Sequence, residues 1–303
     1  MILPQAKCDH FQAEPRTIKE ALVWGVEFLR SQDIPEARLS AEVLLGNILG
    51  LDRSALMVHR DQPLDSTGWR AYKEKIGRRA NQEPVAYLTG QKEFWSRDFQ
   101  VNPEVLIPRP ETELLVETAL NLTWPDSGLK TMVELGTGSG AIAVTLAKSI
   151  PEPGSWRILA TDISSGALKT ARENARSHGV EEVVKWVRGN WLAPFSCSGR
   201  WIDLLLSNPP YIFDEDLEQL PATVRQFEPL AALKGGPDGL EAIRAIFNQA
   251  VLHLKLGGWL VLEIGEKQGE PVGELAERFF FNPVEILKDY AGKDRALKAC
   301  YHG

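Results

Sequence analysis

The sequence predicts an α/β protein in which a doubly wound, mostly parallel sheet follows a small all-helical domain. From Thr131 onward, short apolar runs alternate with helical patterns, and this alternation indicates right-handed βαβ units. No strand pattern occurs before residue 92. The last two apolar runs are joined by a connection too short for a crossover, so the final strand is expected to run antiparallel to the strand before it.

These patterns divide the chain into four parts. Residues 1–15 are expected to be a flexible tail, and residues 16–92 a small helical domain. Residues 93–109 are expected to form a linking β-hairpin, because two strand-like runs flank Asn102-Pro103. Residues 110–303 are then expected to form the α/β domain.

The helical domain contains four apolar patterns at three- and four-residue spacing. The first begins with Thr17 and Glu20, which fit a capping box, and ends before Pro35. The others are expected at 39–48, 54–59 and 66–82. The last of these helices carries a basic cluster that suits an acidic partner or RNA, or else forms an ordinary solvated face: Arg70, Lys73, Lys75, Arg78 and Arg79.

In the α/β domain the sequence predicts five strands followed by an antiparallel pair. The strands are expected at 131–135, 157–162, 183–188, 202–207 and 259–264, and the closing pair at 284–289 and 296–301. Helices are expected at 111–122, 140–149, 165–178, 238–254 and 271–280. Neither pattern is evident between residues 212 and 237. A stretch of this length is favoured as a substrate-binding loop, and the alternative is an ordinary mobile surface loop.

Charge and cysteine usage exclude several classes of protein. The net charge is −7, and residues 1–92 hold 13 Lys and Arg against 12 Asp and Glu, which leaves 21 against 29 in the rest. This acidity argues against a broad nucleic-acid interface. Cys8, Cys197 and Cys300 lie far apart in sequence with no histidine at ligand spacing, so neither a disulfide framework nor a metal site is predicted. No membrane span and no signal-peptide core are evident, so a cytoplasmic protein is expected.

The strand predicted at 202–207 runs into the turn Asn208-Pro-Pro-Tyr211. Proline has no N–H group to donate, so Pro209 and Pro210 end the strand rigidly. The turn presents the Asn208 amide oxygen, backbone carbonyls and the Tyr211 ring at the carboxyl edge of the sheet, where open α/β sheets bind ligands. Fixed acceptors beside an aromatic ring suit a planar amide or amine.

A glycine loop, Glu134-Leu-Gly-Thr-Gly-Ser-Gly140, follows the first strand of this domain, and glycines let a ligand approach the backbone closely. Asp162 ends the next strand, where a carboxylate can accept from ribose hydroxyls. This spacing fits a nicotinamide cofactor or S-adenosylmethionine. The antiparallel closing pair and the nearby Asn208 turn favour S-adenosylmethionine and a class I (Rossmann-like) methyltransferase fold. Glu134 is then expected to bind the ammonium of the methionine moiety, and Trp191 to stack on adenine.

Seven motifs occur in one order along residues 16–302: Glu83-Pro-Val-Ala-Tyr-Leu-Thr-Gly90, Glu93-Phe-Trp, Leu106-Ile-Pro-Arg-Pro-Glu-Thr-Glu113, Glu134-Leu-Gly-Thr-Gly-Ser-Gly140, Ser207-Asn-Pro-Pro-Tyr-Ile212, Glu228-Pro with Asp238-Gly-Leu240, and Leu262-Glu-Ile-Gly-Glu-Lys-Gln268. This set resembles the HemK-type family of protein-(glutamine-N5) methyltransferases, which modify peptide chain release factors. The Leu106–Glu113 motif, together with the helical domain, is the most specific part of the resemblance.

The resemblance implies that a methyl group passes from S-adenosylmethionine to the side-chain amide of glutamine in a Gly-Gly-Gln motif of a release factor. The cofactor contacts that it implies are Gly136, Thr137, Gly138, Ser139, Gly140, Asp162, Trp191 and Asn208. The glutamine contacts that it implies are Asn208, Pro209, Pro210 and Tyr211, and the expected catalytic residues are Asn208, Pro209 and Tyr211. Many relatives have an acid where this chain has Asn190, whose carbonyl can still accept from the adenine amino group.

Three other functions fit part of the pattern. An N6-adenine methyltransferase acting on DNA or RNA would use the same turn but would need a basic recognition surface. A methyltransferase-like binding module without activity would be expected to lack the glycine loop or the turn, and both are intact. A nicotinamide oxidoreductase fits the glycine loop alone. A monomer is expected, with no membrane contact and no stable nucleic-acid binding.

Overall fold

The computed structural model describes residues 15–124, 128–150, 153–196 and 199–303. The chain forms two compact units. One extends to Gly90 and also includes Ala222–Phe227, and the other comprises Gln91–Pro221 and Glu228–Gly303. The expected flexible tail lies outside the described residues except for Pro15.

The first unit is helical, as predicted. Its helices are α1 (Ile18–Ser31), α2 (Ala37–Leu49), α3 (Arg53–Val58), α4 (Ser66–Ala80) and α5 (Val85–Thr89), of which α5 was not predicted. Thr17 caps α1 by accepting from the backbone N–H of Glu20 at 3.2 Å. Gly25 lies against the fully buried Tyr72, since a Cβ at Gly25 would come within 2.1 Å of the Tyr72 hydroxyl oxygen. A glycine is therefore required where α1 packs against Tyr72 of α4.

Most of the basic cluster on α4 is engaged within the same unit. Arg79 is buried, and its Nε donates to the Ser40 hydroxyl at 3.4 Å. Arg78 pairs with Glu83 at 2.6 Å, and Lys75 Nζ donates to the Asn47 side chain at 2.7 Å. These contacts favour the interpretation of the cluster as an ordinary solvated helix face. They argue against a continuous basic patch that binds an acidic partner or RNA.

The second unit begins with an antiparallel hairpin of β1 (Gln91–Phe94) and β2 (Arg97–Gln100). The hairpin predicted around Asn102-Pro103 was therefore wrongly positioned. Its turn is Trp95-Ser96, where both residues have positive φ (52° and 54°), the backbone of a tight hairpin turn without the usual Asn-Gly signal. Asn102 instead forms a local turn, in which its Oδ1 accepts from the Glu104 N–H at 2.9 Å.

Seven strands form the main sheet. They are β3 (Lys130–Leu135), β4 (Trp156–Asp162), β5 (Val184–Arg188), β6 (Ile202–Ser207), β7 (Leu254–Glu263), β8 (Phe281–Lys288) and β9 (Asp294–Tyr301). Their spatial order is β5-β4-β3-β6-β7-β9-β8. The strands β3 to β7 pair in parallel, and β9 runs antiparallel to both β7 and β8. The predicted doubly wound α/β fold with an antiparallel last strand is confirmed.

Helices cover both faces of this sheet. They are α6 (Glu113–Leu120), α7 (Ala141–Ser149), α8 (Ser165–Ser177), α10 (Glu241–His253) and α11 (Gly269–Arg278). The short α9 (Ala222–Arg225) precedes α10 in the chain and belongs to the first compact unit. Successive strand residues alternate between two cores, so that Met132 packs in one and Val133 in the other. The stretch 212–237 contains α9 and two 3-10 turns, Asp214–Gln219 and Leu230–Ala232, where neither helix nor strand was predicted.

Within the described ranges, no helix is both long and apolar enough to cross a membrane. Within the same ranges, no group of three or more histidine, cysteine or acidic side chains is arranged to hold a metal ion. Cys300 is a buried free thiol, whereas Cys8 and Cys197 lie outside the described residues.

Candidate active site

A cavity of about 310 Å³ lies at the carboxyl ends of β3, β4 and β6. In the sheet β3 has β4 on one side and β6 on the other, so the order of the strands reverses here. This topological switch point is where open α/β sheets bind ligands. The cavity is lined by the glycine loop, the ends of these strands and the segment that precedes α6.

The glycine loop between β3 and α7 is constrained by its backbone conformation and by contacts with β4 and α8. Gly136, Gly138 and Gly140 all have positive φ (67°, 55° and 80°), a backbone conformation that residues other than glycine rarely adopt. The N–H of Gly138 donates to Asp162 Oδ2 at 2.9 Å, so the loop is fixed to the end of β4. A Cβ at Gly140 would lie 3.0 Å from the Ala171 Cβ, so this glycine also lets α8 pack against the loop.

Glu134 is a carboxylic acid buried at the tip of β3, with 2% of its surface exposed. Its Oε2 accepts from the Thr137 hydroxyl at 2.7 Å and from the Ala143 N–H at 3.0 Å. Burial raises the pKa of Glu134 to about 8 in spite of these two hydrogen bonds. Glu134 also lines the cavity. A cation bound next to it would favour the carboxylate form, so Glu134 would lose its proton when the cation binds.

Asp162 and Trp191 face the same cavity from β4 and from the loop after β5. Asp162 Oδ1 accepts from the Ser164 N–H at 2.9 Å, and burial raises the pKa of this carboxyl group. Trp191 has a positive φ of 52°, a conformation that a bulky residue adopts only under constraint and that often marks a functional site. Its ring lies over the glycine loop, since Cζ3 is 3.5 Å from the position of a Cβ on Gly136.

The Asn208-Pro-Pro-Tyr211 turn projects from the end of β6. Asn208 and Pro210 line the cavity, whereas Pro209 is buried. Gln268 supports the turn from behind, because its Nε2 donates to the Tyr211 carbonyl at 3.1 Å. Gly235 approaches so closely that a Cβ there would lie 2.7 Å from the Tyr211 carbonyl carbon.

Two acidic side chains that sequence reasoning did not assign hold the surrounding segments. Glu263, at the end of β7, accepts from the Thr112 hydroxyl at 2.6 Å and from the Tyr211 hydroxyl at 3.2 Å. Glu228 pairs with Arg109 at 2.5 Å and accepts from the Ile107 N–H at 3.2 Å. All four partners lie in motifs that carried the family resemblance, and this was the one signal in the sequence that pointed to them.

The structure brings most of the predicted site residues to one cavity. Those that line it are Glu134, Gly136, Thr137, Gly138, Ser139, Asp162, Trp191, Asn208 and Pro210. The others do not line it but belong to the same loop or turn: Gly140, Pro209 and Tyr211. Asn190 also lines the cavity, next to Trp191.

Comparison with known proteins identifies the family. Residues 20–90 match the model described as the PrmC N-terminal domain, and residues 110–228 match the methyltransferase small domain. The release factor glutamine methyltransferase of Moorella thermoacetica is 43% identical over 284 residues, which cover 93% of this chain and 98% of that protein. This chain belongs to the release factor glutamine methyltransferase family. The predicted HemK-type resemblance is thereby confirmed.

A second relative agrees with this family, and a solved structure agrees with the fold. The release factor glutamine methyltransferase of Bacillus subtilis is 39% identical over 291 residues, which cover 95% of this chain and 99% of that protein. The crystal structure of a methyltransferase from Pyrococcus furiosus has a TM-score of 0.51 and 21% identity, and the match covers 70% of this chain and 92% of that one. This structural similarity confirms the class I methyltransferase fold.

Proposed function

We propose that this methyltransferase transfers a methyl group from S-adenosylmethionine to N5 of the glutamine in the Gly-Gly-Gln motif of a peptide chain release factor. The observation that carries the proposal is the position of Asn208. Its amide lines the same cavity as the glycine loop, Glu134 and Asp162. A fixed amide oxygen beside a cofactor cavity suits a substrate that offers N–H groups.

The side chains of the cavity fit S-adenosylmethionine. Asp162 supplies acceptors for ribose hydroxyls, and Trp191 supplies an aromatic face for adenine. Glu134 supplies a carboxylate for the ammonium group of the methionine moiety. The bound cofactor provides a methyl group that is electrophilic because it is attached to a sulfonium sulfur.

The chain's own contribution to the reaction is orientation. An amide nitrogen is a weak nucleophile, because its lone pair is delocalised into the carbonyl group. Asn208 Oδ1 and the Pro209 carbonyl accept the two N–H groups of the glutamine and hold its nitrogen toward the methyl group. The Tyr211 ring packs against the amide plane, Pro210 completes the rigid turn, and positioning of this kind lowers a barrier by several kcal/mol. The proton leaves to solvent after transfer.

The remaining chain is proposed to bind the protein substrate. Residues 16–92 form the recognition domain, 93–109 the linker and 110–303 the catalytic domain. The stretch 212–237 contacts the peptide that carries the glutamine. We further propose that the protein acts in the cytoplasm as a monomer, without stable binding to nucleic acid or membranes.

The proposal is tested by incubating the protein with an intact release factor and S-adenosylmethionine. Mass spectrometry is expected to find a gain of one methylene group on the Gly-Gly-Gln peptide. Asn208→Ala is expected to reduce this methylation at least about a hundredfold, because it removes a positioned acceptor. Calorimetric affinity for S-adenosylmethionine is expected to stay within a few-fold.

Asn248→Ala is the matched control. Asn248 lies on the exposed side of α10, where its Nδ2 donates to the Arg244 carbonyl at 2.9 Å, and its loss is expected to leave turnover unchanged. Full turnover by the Asn208→Ala protein would disprove the role of the turn. Absence of any methyl group on the release factor with the unaltered protein would disprove the function.

A further inference from the structure

Glu263 lies directly behind the Asn208 turn. It is the last residue of β7, and β6 pairs with β7 so that Ser207 is opposite Leu262. The side chain is 1% exposed, and its two carboxylate oxygens accept from two different hydroxyl groups. Thr112 donates to Oε2 at 2.6 Å, and Tyr211 donates to Oε1 at 3.2 Å.

The Thr112 hydroxyl connects this carboxylate to Asn208. Asn208 Nδ2 lies 3.2 Å from Thr112 Oγ1. A hydroxyl has one proton, and the ionised carboxylate can only accept, so the proton of Thr112 goes to Glu263. Toward Asn208 the hydroxyl can then only accept, which requires the NH2 group on that side of the amide. The opposite orientation would leave two acceptors facing each other.

We propose that Glu263 is a positioning residue that acts through Thr112 to hold the Asn208 amide in the orientation that presents Oδ1 to the substrate. The same carboxylate holds the hydroxyl of Tyr211, at the other end of the turn. This inference rests on the proposed function, because it assigns the group that orients the acceptor for glutamine. In this chain the ordered amide is fixed before the substrate arrives, so no part of the binding energy is used to turn it.

The protonation state of Glu263 decides the direction of these hydrogen bonds. Tyr211 and Thr112 face the carboxylate directly, Arg295 of β9 favours its ionised form, and Glu111, beside Thr112, disfavours it. Burial raises the pKa of Glu263 to about 6. A protonated Glu263 donates to one of the two hydroxyls. A Thr112 hydroxyl that accepts this proton turns its own proton toward Asn208 and draws Oδ1 away from the substrate.

The first experiment compares two variants at Thr112 in the full chain, with an intact release factor as substrate. Thr112→Val keeps the shape and removes the hydroxyl, and kcat is expected to fall about tenfold to a hundredfold, as for a misplaced reacting group. Thr112→Ser keeps the hydroxyl and is expected to restore most of the turnover. The calorimetric affinity for S-adenosylmethionine is expected to be the same in both variants.

Thr118→Val is the matched control for this pair. Thr118 is buried in α6, but its hydroxyl donates to the Leu114 carbonyl of its own helix at 2.6 Å. Removal of this hydroxyl is expected to leave kcat unchanged. Equal turnover of the Val and Ser variants at position 112 would overturn the proposal. A wild-type protein inactive on the release factor would instead overturn the proposed function, so the two failures are distinct.

The second experiment measures kcat of the wild type and of Glu263→Gln between about pH 5 and pH 8. This range is chosen because a carboxyl group with a raised pKa, such as Glu263, titrates within it. The wild-type kcat is expected to fall below about pH 6, as Glu263 gains a proton. Glu263→Gln has one acceptor for two hydroxyls, so its kcat is expected to be lower at neutral pH and independent of pH in this range. An acidic limb that persists unchanged in Glu263→Gln would assign the titration to another group and overturn the proposal.

Discussion

Glu134 is a carboxyl group of the cavity whose ionisation depends on its burial. Its carboxyl group is buried, and burial raises its pKa to about 8, so the free protein holds the proton at neutral pH. A bound ammonium group favours the carboxylate and lowers that pKa. Cofactor binding below pH 8 is therefore coupled to loss of a proton from Glu134, and the affinity is expected to decrease as the pH falls.

This coupling predicts close to one proton released for each S-adenosylmethionine bound near pH 7. Calorimetry in two buffers with different ionisation enthalpies measures that number. In Glu134→Gln the side chain cannot ionise, so the proton release attributable to this position is expected to vanish and the affinity to fall. The difference between the two proteins isolates Glu134 from the titration of the cofactor's own amino group. Equal proton release in both proteins would show that Glu134 does not bind the ammonium.

At the scale of elements, one buried ion pair joins two segments that line the cavity. Arg109 belongs to the segment before α6, and Glu228 to the segment before the Leu230–Ala232 turn. The side chain of Glu228 is 1% exposed, whereas that of Arg109 is 34% exposed. A buried carboxylate that loses its partner remains unhydrated, while a guanidinium at the edge can recover water.

The two partners are therefore expected to respond unequally to substitution. Arg109→Met leaves Glu228 charged and buried, and we expect it to lower the free energy of unfolding by about 3 kcal/mol. Glu228→Gln keeps an acceptor for the Ile107 N–H and leaves a half-solvated arginine, so a loss of about 1 kcal/mol is expected. Urea unfolding of both variants, with Arg278→Met at an exposed position of α11 as the control, measures the difference. A larger loss for Glu228→Gln would contradict this account.

Local sequence patterns predict the longer secondary-structure elements but not the shortest ones. The seven strands of the main sheet and the first four helices were predictable, because apolar residues recur with the period of each element. The hairpin β1–β2 was misplaced because Trp95-Ser96 forms its turn without glycine. The five-residue helix α5 is too short to establish a helical period.

The candidate site was predictable only where its residues belong to a local motif. The glycine loop, Asp162 and the Asn208 turn each combine a strand end with residue types that suit a ligand. The support from Glu263 was not predictable, because Thr112 and Glu263 are 151 residues apart in sequence. Arg109 and Glu228, which are 119 residues apart, also meet only through the fold.

At the scale of the whole molecule, the distribution of charge separates a protein substrate from a nucleic acid. Residues 93–303 carry 21 Lys and Arg against 29 Asp and Glu, and neutralisation of phosphates requires cationic side chains in excess. On α4, Arg78 and Lys75 already have partners within the helical unit, and Arg70 Nε donates to the Ser66 carbonyl at 3.2 Å. One fold can serve many different substrates, so the fold alone does not decide this question.

We therefore expect duplex DNA and RNA to bind more weakly than about 0.1 mM at physiological salt, the weak limit of ordinary non-specific binding. Fluorescence anisotropy with labelled duplexes measures this affinity, and transfer of labelled methyl to the release factor in the same buffer shows that the protein is active. Arg70→Glu with Lys73→Glu provides a sharper comparison, because reversal of these charges would weaken a nucleic-acid interface on α4 and flatten its salt dependence. Micromolar binding that falls steeply with salt and is reduced by this reversal would favour a nucleic-acid methyltransferase over the release factor enzyme.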